Sequence, residues 1–104
     1  FSFTSRSLTG IKTCNFAFHK MDAIGVNGFN EEFVGWGRED SEFTVRLLNN
    51  GIRRRNMKFN GIAYHLFHPM NDRTRLGNND EILRQTIDHR LTWCAKGLDQ
   101  YLEP

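Results

Sequence analysis

The chain has 104 residues, 38% of them hydrophobic and 25% charged, with a formal net charge of +2 at pH 7. This balance belongs to a folded domain rather than a disordered chain, and no apolar run approaches the ~20 residues that span a bilayer. A charge of +2 is too small to argue for nucleic acid, and no nucleic-acid partner is expected.

Residues 1–104 read as a single small domain. The opening Phe1-Ser2-Phe3-Thr4 has no initiating Met and no charged-then-apolar signal layout, so a piece of a longer protein is expected. Cys14 and Cys94 stand far apart without metal spacing and read as reduced thiols. That predicts a cytoplasmic domain, with any membrane association coming through the parent chain.

In chain order, Lys12 to Phe18 has strand composition, with aromatics at alternate positions. His19 to Ile24 reads as a short helical turn broken by Gly25 and Gly28, and Phe29 to Gly37 as a shaped loop. Glu39 to Asn50 predicts a helix. Glu39, Asp40 and Glu42 oppose its dipole in the first turn, Phe43, Leu47 and Leu48 form an apolar face, and Asn50-Gly51 is the stop. Ile52 to Phe59 and Ile62 to His68 read as strands joined by the hairpin turn Asn60-Gly61. Met70 to Asn79 reads as a polar loop. The last helix runs over about 79–96, capped by Asn79 or Asp80, with Ile82/Leu83, Ile87, Leu91 and Cys94 on one face and Lys96-Gly97 as its end. Arg53-Arg54-Arg55 with Lys58 alternates across a strand and reads as a solvated edge, not a basic patch.

The densest chemistry lies between Gly28 and Glu42. Glycines on both sides of Trp36 let the backbone approach a ligand and leave the indole face open, a platform for the C–H face of a sugar ring. Glu39 and Asp40 follow at once. A carboxylate there can accept hydrogen bonds from sugar hydroxyls or take a proton from an attacking hydroxyl. The plainer role for the same pair is to complement the helix dipole. A second cluster is Ala63-Tyr64-His65-Leu66-Phe67-His68. Residues three apart in a regular strand face opposite ways, so His65 and His68 could share one ion only if the chain bends near Phe67, as Pro69 favours.

Asn15-Phe16-Ala17-Phe18, then Gly28-Phe29-Asn30-Glu31, then Gly35-Trp36-Gly37-Arg38-Glu39-Asp40-Ser41-Glu42 resembles the C-terminal galactosyltransferase-type region of family 2 and related glycosyltransferases. β-1,4-Galactosyltransferases, chondroitin polymerases and polypeptide N-acetylgalactosaminyltransferases share the pattern, which here covers about residues 15–68. The resemblance implies an α/β architecture, the acceptor-side part of the GT-A nucleotide-diphospho-sugar transferase fold, with a small mixed sheet and two main helices packed on it. An open edge of that sheet would invite self-association.

The implied activity is transfer of a sugar from a nucleotide-diphosphate donor, a UDP-sugar, to a hydroxyl of an acceptor glycan. By position, Trp36 matches the tryptophan that covers acceptor and donor, Glu39 a carboxylate that holds the acceptor, and Asp40 the catalytic base of inverting members. His65 matches the metal histidine of the N-acetylgalactosaminyltransferases and His68 that of the β-1,4-galactosyltransferases; both stay candidates for a Mn²⁺ (or Mg²⁺) site, with His65 favoured. Arg73 and Arg75, in the loop that closes over the donor in relatives, are candidates for the diphosphate. An Asp-x-Asp metal motif is missing from the chain. The metal and nucleotide half is therefore expected elsewhere, and catalysis by these 104 residues alone is not expected. The alternative is a non-catalytic carbohydrate-binding module that retains the acceptor site.

Overall fold

The computed structural model describes residues 2–5, 16–35, 37–57 and 76–102. In chain order these form β1 (Ser2–Ser5), α1 (Lys20–Gly25), α2 (Glu39–Asn49), β2 (Arg54–Met57), α3 (Leu76–Asp88) and a 3-10 turn, Leu98–Tyr101. β1 and β2 form one antiparallel pair in the register Ser2↔Met57 to Ser5↔Arg54. The arginine-rich strand thus pairs with the start of the chain. Its expected hairpin partner, residues 62–68, lies outside the described residues, as does Cys14. Phe16 to Phe18, read as the end of a strand, have no regular structure; Phe16 packs against the core on Phe43, while Phe18 is exposed.

The three helices end in the same way. The residue after the cap turns left-handed, its N–H bonds three residues back, and the next N–H bonds five back, the closure known as the Schellman motif. After α1 the turning residue is Asn27 (φ 70°), with Asn27 N–H donating to the Ile24 carbonyl and Gly28 N–H to that of Ala23. After α2 it is Gly51 (φ 85°), with bonds from Gly51 to Leu48 and from Ile52 to Leu47. After α3 it is Arg90 (φ 51°), with bonds from Arg90 to Ile87 and from Leu91 to Thr86.

The third closure corrects the sequence reading. α3 begins at Leu76, inside what read as a polar loop, and stops at Asp88 rather than near Lys96. Leu91 and Cys94 keep the helical spacing in sequence but lie on non-helical chain beyond the turn. That segment is fixed from α2, where Asn49 Nδ2 donates to the carbonyls of Leu91 (2.8 Å) and Thr86 (3.3 Å).

α2 is the centre of the molecule. Every residue from Glu42 to Leu48 is buried, and Ala23, Val26, Phe43 and Leu47 form the apolar core, with Phe16 and Ile52 against it. Phe29 stacks on Phe43 at 4.3 Å between ring centroids. α2 and α3 pack chiefly on each other rather than on the strand pair, and the face α3 buries is polar, Asn79 and Thr86. The C-terminal segment docks on Asn27. Its Nδ2 donates to the Cys94 carbonyl and the Asp99 carboxylate, its Oδ1 accepts from Asp99 N–H, and its carbonyl accepts from Leu98 N–H. Gly97 passes so close that a Cβ there would overlap the Asn27 carbonyl oxygen. Among the described residues no helix is long and apolar enough to cross a membrane.

A candidate sugar-transfer site at the start of α2

The backbone ahead of α2 is built from left-handed residues. Gly35 (φ 74°), Gly37 (φ 115°) and Arg38 (φ 75°) turn the chain sharply into the helix. Only glycine takes such conformations at little cost, which accounts for the glycines on either side of position 36. Arg38 is the N-cap without a side-chain cap bond of its own, and its carbonyl accepts the first helical hydrogen bond from Glu42 N–H (2.9 Å).

Glu39 and Asp40 follow on the first turn of α2, both half-buried, where the helix dipole favours negative charge. Asp40 accepts a hydrogen bond at Oδ1 from Ser41 N–H (3.0 Å), and its carbonyl accepts one from Thr44 Oγ1 (2.9 Å). Its carboxylate therefore serves the helix start while staying at the surface.

Glu42, which reads in the sequence as a third first-turn carboxylate, does something else. It points inward, is 1% exposed, and grips Arg46 through two parallel hydrogen bonds of 2.8 and 2.9 Å. Thr86 Oγ1 adds a third bond to it from α3 (2.9 Å). Arg46 is wholly buried and also donates to the Val26 carbonyl and to Cys94 Sγ (3.2 Å). Cys94 is a free thiol, and burial pushes it above the ordinary thiol range; Arg46 opposes the shift, while Glu42 and Asp99 add to it.

α3 holds the loop from the other side. Asn79 Nδ2 donates to the carbonyls of Val34 (3.0 Å) and Gly37 (3.1 Å), and Asp80 pairs with Arg38 at 2.6 Å. The sequence offers these two residues as helix caps. They lie within the helix instead, and nothing in the polarity of Asn79 distinguishes a solvated residue from one buried against backbone carbonyls.

Of the residues singled out in the sequence, the structure therefore brings Glu39 and Asp40 together on one turn. Trp36, His65, His68, Arg73 and Arg75 lie outside the described residues. Among the described residues no three His, Cys, Asp or Glu side chains gather as a metal site. A separate cleft of about 280 Å³ is lined by Phe18, Phe29, Phe43, Glu31, Leu98 and Tyr101, among others, and neither Glu39 nor Asp40 lines it. On its rim Tyr101 Oη donates to the Glu31 carboxylate at 2.7–2.8 Å, which raises the tyrosine above its usual value.

Comparison with known proteins gives the family. Residues 2–69 match the family described as the N-terminal domain of galactosyltransferase, and the chain belongs to that family. The description puts the domain at the N-terminal end, where the resemblance read from the motifs puts it at the C-terminal end; a galactosyltransferase-like region is what the two share. Two curated proteins similar to this chain are chondroitin sulfate synthase 3 of Homo sapiens and of Mus musculus, each 33% identical over 52 residues. The matched stretch is 50% of this chain and 6% of each of those proteins. No solved structure matches the chain.

Proposed function

We propose that this region is the acceptor side of a nucleotide-sugar glycosyltransferase of the GT-A type, with Asp40 as general base. The observation that carries the reading is the Glu39–Asp40 pair, half-buried on the first turn of α2 directly behind the left-handed turn at Gly35, Gly37 and Arg38. The family match over residues 2–69, which contain that turn, supports it.

In this reading the acceptor sugar stacks its C–H face on Trp36, and Glu39 holds the reacting hydroxyl. Its oxygen attacks the anomeric carbon of the donor, a UDP-sugar, while the bond from that carbon to the diphosphate breaks and the nucleoside diphosphate leaves with the electron pair. Asp40 takes the hydroxyl proton. Such a single displacement inverts the anomeric centre. A divalent cation, Mn²⁺ or Mg²⁺, would neutralise the diphosphate when bound, and His65 or His68 is the group this chain would offer it. Arg73 and Arg75 are the donor-side cations. The similarity to chondroitin sulfate synthase 3 makes a chondroitin oligosaccharide the first acceptor to try.

The test uses the full-length polypeptide that carries this region. Transfer is measured from a panel of nucleotide sugars, with Mn²⁺, to glycan acceptors, comparing wild type with Asp40→Asn. Turnover that collapses in the variant while acceptor binding persists supports the reading. Unchanged turnover removes Asp40 from the chemistry, and glycan binding with no turnover on any donor points to a carbohydrate-binding module instead.

A further inference from the structure

The first turn and a half of α3 touches the turn ahead of α2 at three successive points. Asn79 is wholly buried, and its amide nitrogen bonds the carbonyls of residues 34 and 37, one on each side of position 36. Asp80, the next residue, holds the Arg38 guanidinium. Leu76, one turn earlier, has a methyl 2.7 Å from where a Cβ on Gly37 would sit. Two backbone carbonyls that face the same point need a donor with two N–H groups on a short stem. Asparagine provides that; aspartate has the shape but only acceptors, leucine has no donor, and glutamine is one methylene too long.

We infer that Asn79 is a positioning residue for the candidate acceptor site. It ties the Gly35–Arg38 turn to α3, and so sets where the Glu39–Asp40 pair stands relative to a bound sugar. Asp80 is its weaker, solvent-exposed companion. The inference rests on the acceptor-site reading of Glu39 and Asp40, since Asn79 acts through that turn.

The test is run on the chain in a Trp93→Phe background, which leaves Trp36 as its one indole. Asn79→Asp, Asn79→Ala and Asp80→Ala are compared with Asn49→Ala, which loosens the other end of the α2–α3 pair through its bonds to residues 86 and 91. Two quantities are read well below the melting temperature: acrylamide quenching of Trp36, and the dissociation constant for a chondroitin oligosaccharide. The Asn79 variants should change the quenching and weaken binding on the order of tenfold to a hundredfold, the scale of a misplaced positioning group. Asp80→Ala should move both in the same direction by less, and Asn49→Ala should lower the melting temperature and move neither. If the Asn79 variants do not fold, the comparison of Asp80→Ala with Asn49→Ala decides. Asn79 variants that match wild type in both readings overturn the inference, as does an Asn49→Ala effect of the same size. Should wild type bind no glycan, the quenching series decides whether Asn79 sets the turn, and the acceptor reading is decided by the transfer assay on the full-length polypeptide.

Discussion

Arg46 and Glu42 lie one helical turn apart on α2 and meet through two parallel hydrogen bonds with neither side chain in contact with solvent. Surface pairs at this spacing contribute little, but a buried pair is different because removing one partner strands the other charge out of water. Glu42→Gln or Arg46→Met should each lower unfolding free energy by about 3–5 kcal/mol. The double variant Glu42→Gln/Arg46→Met should lose clearly less than the two added together, since it leaves no stranded charge. Urea denaturation of the four proteins measures this; additive losses would show that the pair is not coupled.

Three glycines should separate under substitution by alanine. At Gly97 a Cβ would run into the Asn27 carbonyl, so the C-terminal segment must lift, and a loss of about 1–3 kcal/mol is expected from overpacking. Gly51 has open space around it but sits at φ 85°, which limits the loss there to about 1 kcal/mol. Gly77 has open space and lies within α3, so alanine should be neutral or gain up to about 1 kcal/mol. Thermal melts of the three variants check the order, and a stabilising Gly97→Ala would refute the docking of this segment on Asn27.

The elements that the sequence discloses are those whose signals are local. α2 is found within a residue of its ends because acidic residues, an apolar face and Asn50-Gly51 all agree on it. α3 is misjudged at both ends for physical reasons. Its stop is Arg90 in a left-handed turn, a role that arginine does not advertise, and the hydrophobic spacing of Leu91 and Cys94 continues past it. Its buried face is Asn79 and Thr86, so a search for apolar period looks at the wrong side of the helix. At the site, Glu39 and Asp40 are legible because motif and helix start coincide. The inward turn of Glu42 is not, because it depends on Arg46 and Thr86 arriving from one turn and one helix away.

Cys94 gives the fold a pH dependence on the alkaline side. Its folded thiol titrates above the ordinary 9.0, chiefly through burial. Above 9.0 the unfolded chain therefore binds fewer protons than the native one, and stability falls as pH rises towards the folded value. Below 9.0 this contribution is constant. In a Cys14→Ser background, the pH at which stability begins to fall should shift or vanish in Cys94→Ala. Ellman's reagent should react with native Cys94 only slowly at pH 8, and at the free-thiol rate once the protein is unfolded. Rapid labelling of the native state would contradict the buried position.

The three carboxylates at the start of α2 should separate into two kinds. Glu42→Gln strands Arg46 and should unfold the protein at markedly lower denaturant. Glu39→Gln and Asp40→Asn weaken a favourable dipole interaction, and for Asp40 the hydrogen bond from Ser41 N–H is among those affected, so each should cost about 1 kcal/mol, well below Glu42→Gln. If the proposed mechanism holds, the order reverses in transfer assays of the full-length polypeptide for the folded variants. Under the proposed mechanism Asp40→Asn should reduce kcat on the order of 10²–10⁴-fold, as loss of a general base does, while Glu39→Gln should chiefly raise the acceptor KM. Melting curves and acceptor kinetics on the same three proteins test both halves. An Asp40→Asn loss of stability as large as that of Glu42→Gln would make Asp40 a structural carboxylate, and the base would have to be sought elsewhere.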